Sequence, residues 1–178
     1  LVNGRKEFFN ISLEEVAKSS DFIFICVPTP IKSDYTGIDL SIVDENVDAL
    51  AKLIKDTDKV IVLKSTIVPG TTARYEKEYP DVKFAFNPEF LTEANFLQDF
   101  INADRHIIGA TDPDVSNRLV ELYKSHYPNT DIYQTSPTAA EMTKYMANCY
   151  LATKVLFANE MSEICEKLNV DYSDVKKL

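Results

Sequence analysis

The sequence predicts an α/β layered fold, a parallel sheet flanked by helices and followed by one long helix. Three observations carry that prediction. Apolar runs such as FIFICV and VIVL are short and nearly unbroken, as strands covered on both faces are. Segments with helical periodicity alternate with them, which is the order of a layered α/β chain. From Pro137 onward, about 30 residues keep helical periodicity with no internal glycine or proline to break it.

The elements are justified in chain order. Residues 12–18 read as a first helix and residues 22–27 as the first strand. Asp39 is placed to cap a helix over 40–55, and VIVL at 60–63 forms the next strand. Gly70-Thr71-Thr72 opens a helix over 72–79, and VKFAF at 82–86 is the third strand. HIIGA at 106–110 is the fourth strand, and Asp112-Pro113 starts a helix over 114–125 with proline where its missing N–H does no harm. DIYQT at 131–135 is the fifth strand, and the long helix runs from Pro137 to about Leu168. Its small and apolar positions fall on more than one face, so it is expected to pack against two partners, one of them another subunit. A last helical pattern begins at Asp171. Two domains follow, 1–136 for the sheet and 137–178 for the long helix and the start of the next.

Composition narrows the function. The 19 basic and 28 acidic residues leave a net charge of −9, and the acids are spread along the chain. Nucleic acid is therefore not an expected partner, whereas an anionic small molecule is acceptable to a pocket lined by a few cations and helix N-termini. Cys26, Cys149 and Cys165 lie in apolar surroundings outside any CxxC spacing, and are expected to be reduced, buried thiols of a cytoplasmic protein. Two histidines without paired spacing give no metal site. No apolar run is long enough for a membrane span, and LVNGRKEFF has no signal-peptide pattern.

Ligands of open parallel sheets bind beyond the C-terminal ends of the strands. Polar, proline-bearing segments gather at those predicted ends: CVPTP (26–30), KSTIVPGTT (64–72) and NPEFLTE (87–93). Singly, each also reads as an ordinary turn with Ser65 or Thr66 as a helix cap. The stretch NPEFLTEANFLQDF is less ordinary, because it combines Glu89 and Glu93 with an apolar Phe90-Leu91 pair and two further phenylalanines, Phe96 and Phe100. On the long helix, Glu141, Lys144 and Asn148 share one face. They read either as an exposed Glu-Lys pair beside a solvated amide or as a cation and amide held to steady an oxyanion.

Four blocks in order, FICVPTP, VLKSTIVPGTT, NPEFLTEANFLQDFINADRHIIG and AAEMTKYMANCYLATKVLFANEMSEICEKLNVD, resemble the UDP-glucose dehydrogenase family of nucleotide-sugar dehydrogenases. The resemblance implies a partial Rossmann-like, NAD-binding domain and a long helix that forms a homodimer interface and links to a second domain. It implies oxidation of a sugar's primary alcohol to a carboxylate by two hydride transfers to NAD, through a thioester on a cysteine. It gives Thr66 a role in placing the catalytic water and touching the cofactor, and Glu89 that of general base in thioester hydrolysis. Phe90, Leu91, Thr92 and Glu93 would line the sugar nucleotide, with Glu93 also near the nicotinamide. Lys144 and Asn148 would stabilise the oxyanion. Cys26, Val27, Pro28, Thr29, Pro30, Ser65, Thr66 and Ile67 would border NAD. These roles suit the residue types, since a carboxylate base needs a partly dry site and Phe90 and Leu91 can supply one.

The sequence departs from the family pattern in three places. It contains no glycine-rich phosphate turn, and none of its cysteines fits the family's GFGGSCF-like nucleophile loop. Ala94 stands where many members have glycine. The chain is therefore expected to cover the middle of the family's length and to be inactive alone. UDP-glucose is the favoured substrate, on NPEF and Ala103-Asp104-Arg105. GDP-mannose, another nucleotide sugar, or a non-catalytic dimerising remnant are the alternatives.

Overall fold

The computed structural model describes residues 11–92 and 94–178. In chain order the elements are α1 (Leu13–Ser19), β1 (Phe22–Ile25), α2 (Ser41–Ile54), β2 (Val60–Leu63), α3 (Thr71–Glu78), β3 (Lys83–Phe86), α4 (Phe96–Ile101), β4 (Arg105–Gly109), α5 (Pro113–His126), β5 (Asp131–Thr135), α6 (Pro137–Lys167) and α7 (Tyr172–Lys177). Local chemistry sets the helix starts. The Ser12 hydroxyl accepts from the Glu15 amide, Asp39 accepts from the Ser41 amide, and Asp112 accepts from the Asp114 amide with Pro113 at the first turn. Gly70 precedes α3 with φ at 97°, a left-handed conformation that glycine adopts without penalty.

The five strands form one sheet in the order β1-β2-β3-β4-β5. β1, β2 and β3 pair in parallel, as do β4 and β5. The β3-β4 pairing is antiparallel and consists of Phe86 opposite Gly109, which departs from the all-parallel arrangement expected. The reason is the connection. After Phe86 the chain turns through α4 at the same end of the sheet instead of crossing a face, so β4 has to run back. Extending that register places the start of β4, Arg105 and His106, over the turn by which the chain leaves β3.

Both faces of the centre of the sheet are covered. Ile61, Leu63, Phe84 and Phe86 pack with α2 and α3 on one side, and Val60, Val62, Ala85 and Ile108 pack with Val115, Leu119 and Tyr123 of α5 on the other. All four β2 residues are fully buried, whereas Phe24 of β1 is exposed. The two-faced burial inferred from the apolar runs therefore holds at the centre and lapses at β1. Two further expectations are corrected. Strand β1 ends at Ile25 instead of Val27, because the Ile25 carbonyl accepts from the Lys64 and Ser65 amides while Val27 is tied to the Ser65 side chain. The cysteines are free but not buried: Cys26 and Cys149 are exposed, since Cys26 lies past the strand's end and Cys149 on an open helix face.

The chain divides into two compact units, Leu1–Lys144 and Tyr145–Leu178, so the first turns of α6 belong to the sheet-bearing unit. No helix among the described residues is long and apolar enough to cross a membrane.

Candidate active site

At the exits of β1 and β2, Ser65 ties two loops together. Its hydroxyl accepts from the Val27 amide at 2.8 Å and donates to the Val27 carbonyl at 2.6 Å. The serine is thus a loop-to-loop clasp and not a helix cap. The clasp shapes a cavity of about 210 Å³ lined by Cys26, Val27, Pro28, Thr29, Lys64, Ser65, Thr66 and Glu89. Pro28 restricts the backbone of one wall, and Ser65 and Thr66 bring hydroxyls to the other.

The turn after β3 is built around Asn87, which is fully buried. Its amide N–H donates to the Leu63 carbonyl and its side-chain Nδ2 to the Ile107 carbonyl, both within 2.9 Å. Its side-chain oxygen accepts from the Lys64 ammonium at 3.0 Å and from the Tyr123 hydroxyl. A buried amide thus finds partners on β2, β4 and α5 and at the exit of β2, leaving the following Pro88-Glu89 little freedom. Beyond it lies a second, smaller cavity of about 40 Å³, lined by Lys64, Pro88, Glu89, Phe90, Leu91, Asp99, Phe100, Ala103, Asp104, Arg105 and His106. Among the described residues, only Lys64 and Glu89 line both cavities.

The first turns of α6 bring two charged side chains into the same region, and both are buried. Glu141 faces the start of α3, accepting from the Gly70 amide, the Thr72 amide at 2.8 Å and the Thr72 hydroxyl at 2.6 Å. Its negative charge sits against the positive end of that helix. The ammonium of Lys144 lies 5.5 Å from the centre of the Phe90 ring, and the Arg105 guanidinium lies 4.9 Å from it. Phe90 is thus approached by two cations that its π-electrons attract.

Burial is the leading cause of the shifts here. It pushes the Lys64 ammonium below the usual lysine range, with Glu89 and Cys26 opposing and Lys144 adding to the shift. It lowers Lys144 likewise, again opposed by Glu89. The Cys26 thiol is raised by the surrounding protein, with Lys64 opposing, although its surface is open to solvent. His106 is lowered by burial and then by Lys64. The His106 ring stacks beside Tyr123 and Tyr127, and its Nε2 has no hydrogen-bond partner among the described residues.

Most of the residues singled out in the sequence converge. Cys26, Val27, Pro28, Thr29, Ser65, Thr66 and Glu89 share the larger cavity, Glu89, Phe90 and Leu91 the smaller, and Lys144 approaches Phe90. Pro30 and Ile67 stand apart: the Pro30 carbonyl accepts from the Asp39 amide, and the Ile67 side chain is buried in the core. Thr92 is exposed, its amide and hydroxyl both held by Asp99. Asn148 is exposed on α6 in the second unit, and Glu93 lies outside the described residues. The exposed Glu-Lys pair does not occur, because Glu141 and Lys144 are both buried. The sequence gives no individual role to Lys64 or His106, and Asn87 and Arg105 enter only through the motifs that favour UDP-glucose. The available signal was a lysine ending a fully apolar strand, VIVLK, where its stem must cross the sheet edge.

Comparison with known proteins accords with this geometry. Residues 2–127 match the NAD binding domain of the UDP-glucose/GDP-mannose dehydrogenase family, and residues 138–178 match its central domain. The chain is 38% identical to the UDP-glucose 6-dehydrogenase YwqF of Bacillus subtilis, covering 94% of this chain and 39% of that protein. It is 34% identical to a UDP-N-acetyl-D-mannosamine dehydrogenase of Methanococcus maripaludis, covering all of this chain and 42% of that protein. Among solved structures, a UDP-glucose dehydrogenase from Pyrobaculum islandicum superposes with a TM-score of 0.83 at 36% identity, over 92% of this chain and 39% of that one. A GDP-mannose dehydrogenase from Pseudomonas aeruginosa also gives a TM-score of 0.83, at 29% identity, over 93% and 40%. The chain thus spans about two fifths of the length of these relatives. Two clasped loops at the strand exits, a carboxylate-bearing turn and a buried helix lysine belong to a chain matched almost end to end by these two domain models: it is a member of the UDP-glucose/GDP-mannose dehydrogenase family.

Proposed function

We propose that this chain supplies the cofactor edge and part of the sugar site of an NAD-dependent nucleotide-sugar 6-dehydrogenase of the UDP-glucose type. The observation that carries the reading is the approach of buried Lys144, from α6, to Phe90, which lines the smaller cavity beside Glu89 in the turn after β3. A cation from a distant segment is thus brought to the carboxylate-bearing turn, where solvent screening is reduced and charges act strongly.

The larger cavity fits one end of a dinucleotide. It is shaped by the Ser65 clasp, lined by Thr29 and Thr66, and lies at the strand exits where such ligands bind in open sheets. Cys26 to Thr29, Ser65 and Thr66 would hold the cofactor there, with Pro30, Ile67 and Glu93 contributing backbone or neighbouring positions. NAD, when bound, would supply the hydride acceptor for the two successive oxidations that take the sugar's primary alcohol to a carboxylate. Glu89 would take the proton from the attacking water in the hydrolytic step, with Thr66 orienting that water. Lys144, joined by Asn148, would steady the oxyanion, and Phe90, Leu91, Thr92 and Glu93 would exclude water from the sugar. The exposed apolar residues of α6, among them Met146, Tyr150, Leu151 and Phe157, support pairing with a second copy. Three free thiols suit a reducing, cytoplasmic compartment.

The test is a polypeptide carrying this chain, assayed with NAD and UDP-glucose, GDP-mannose or UDP-N-acetylmannosamine. The reading expects two NADH per UDP-glucose and slower turnover of the other two. Lys144→Ala should then lower kcat about 100-fold or more. Failure to reduce NAD with any nucleotide sugar would overturn the function, and preference for another sugar would overturn the specificity.

A further inference from the structure

The contact between the two cavities has an occupant that the reading above leaves without a role. We propose that Lys64 is a positioning residue for Glu89, and that Lys64, Asn87 and Tyr123 act as one unit that fixes this carboxylate at the wall shared by the two cavities. The inference rests on the functional reading above and deepens it.

Among the described residues, Lys64 and Glu89 are the two that line both cavities, which puts the pair between the cofactor edge and the sugar side proposed above. The lysine ammonium reaches Asn87 twice, at 3.0 Å to the side-chain oxygen and 3.5 Å to the carbonyl. Asn87 is also held by the Ile107 carbonyl and the Tyr123 hydroxyl. Pro88, with its fixed φ, separates this anchor from Glu89. A methionine would fill the lysine's channel without the desolvation penalty that a half-buried ammonium carries. Retaining the charge makes sense where a neighbouring group uses it, and Glu89 is the nearby anion that favours the ammonium most. The other titratable groups facing Lys64 are Cys26, Lys144 and His106.

Two measurements test the proposal. In the 178-residue chain with 13C-methylated lysines, the Lys64 signal, identified by its loss in Lys64→Arg, should titrate below the exposed lysines. Glu89→Gln should lower it by a further half pH unit or more, and an unmoved signal overturns the coupling. In the active polypeptide, Lys64→Met should lower kcat at least tenfold with KM for the sugar nucleotide within threefold. Lys64→Arg should regain part of the lost kcat. An unchanged kcat, or a loss that falls on KM instead, overturns the positioning role. If the unmodified polypeptide turns over no nucleotide sugar, the functional reading falls while the lysine titration still decides the coupling.

Discussion

Glu141 and Glu89 are two carboxylates of the same compact unit, and the protein treats them in opposite ways. Glu141 is fully buried, and three donors from Gly70 and Thr72 saturate it at the start of α3. Glu89 is half-buried at the lining of two cavities, near Lys64 and Lys144, whose charge burial disfavours. A carboxylate with both oxygens engaged by backbone and hydroxyl donors holds structure. One left partly open beside desolvated lysines keeps the freedom to exchange a proton or meet a ligand, at some cost in stability.

The largest expected effect breaks this contrast at its structural end. Glu141→Ala leaves the Gly70 and Thr72 donors buried without partners, and should destabilise the chain by about 4 kcal/mol. Glu89→Gln, in the open region, should change stability by less than about 1 kcal/mol, as substitutions at partly exposed sites do. Urea denaturation of both variants is the measurement. Equal losses would mean that the turn after β3 is as much a folding element as the start of α3.

A smaller effect tests how α6 is seated, because its first turns carry both Glu141 and Lys144. At Gly109 a Cβ would stand 2.7 Å from the Ala140 Cβ and 2.8 Å from the Pro137 Cα. Neither atom belongs to a flexible side chain, so Gly109→Ala must push β4 and the start of α6 apart, at about 2 kcal/mol. Displacing α6 moves a saturated carboxylate and a buried lysine together. Thermal unfolding should register the loss, and 15N-HSQC shifts in the chain should spread to Gly70 and Thr72. An undisturbed Gly70 amide would show that Glu141 is held by α3 and not by the seating of its own helix.

Which parts were legible follows the same divide. Local periodicity marked β2, α2, α5 and α6 within a residue or two, since burial there depends on neighbours close in sequence. The reversal of β4 was not legible, because it depends on α4 and the path of residues 87–104, whose exposed residues carry no periodic signal. Glu89 and Lys144 stand out by residue type and spacing and take their roles, with that of Thr66, from the resemblance, whereas Lys64, Asn87 and Tyr123 carry no such mark singly. Their link spans from β2's exit to α5 and exists only in the folded sheet. Asn87 was read as the polar start of a turn, which any asparagine before proline suggests, and nothing local distinguishes a buried hub from a solvated turn.

The smallest effect lies in the open region and concerns His106. Its ring is buried beside Tyr123 and Tyr127, its Nε2 is unpartnered among the described residues, and burial with Lys64 holds its pKa below the usual 6.5. In the unfolded chain the imidazole protonates near 6.5, whereas in the folded chain it resists the proton until lower pH. Between those values the unfolded state binds more protons, so stability falls as pH drops below 6.5 and is unaffected by this group above it. His106→Phe keeps the stacked ring and removes both the titration and the orphaned nitrogen. Its urea midpoint should therefore fall less between pH 7 and pH 5 than that of the unmodified chain, and should be no lower at pH 7. Every other titratable group is the same in both proteins, so the difference in slopes isolates the histidine. Coincident slopes would mean that the imidazole accepts its proton as readily folded as unfolded, which requires a partner for Nε2 inside the smaller cavity and would make that cavity as fully satisfied as the Glu141 socket.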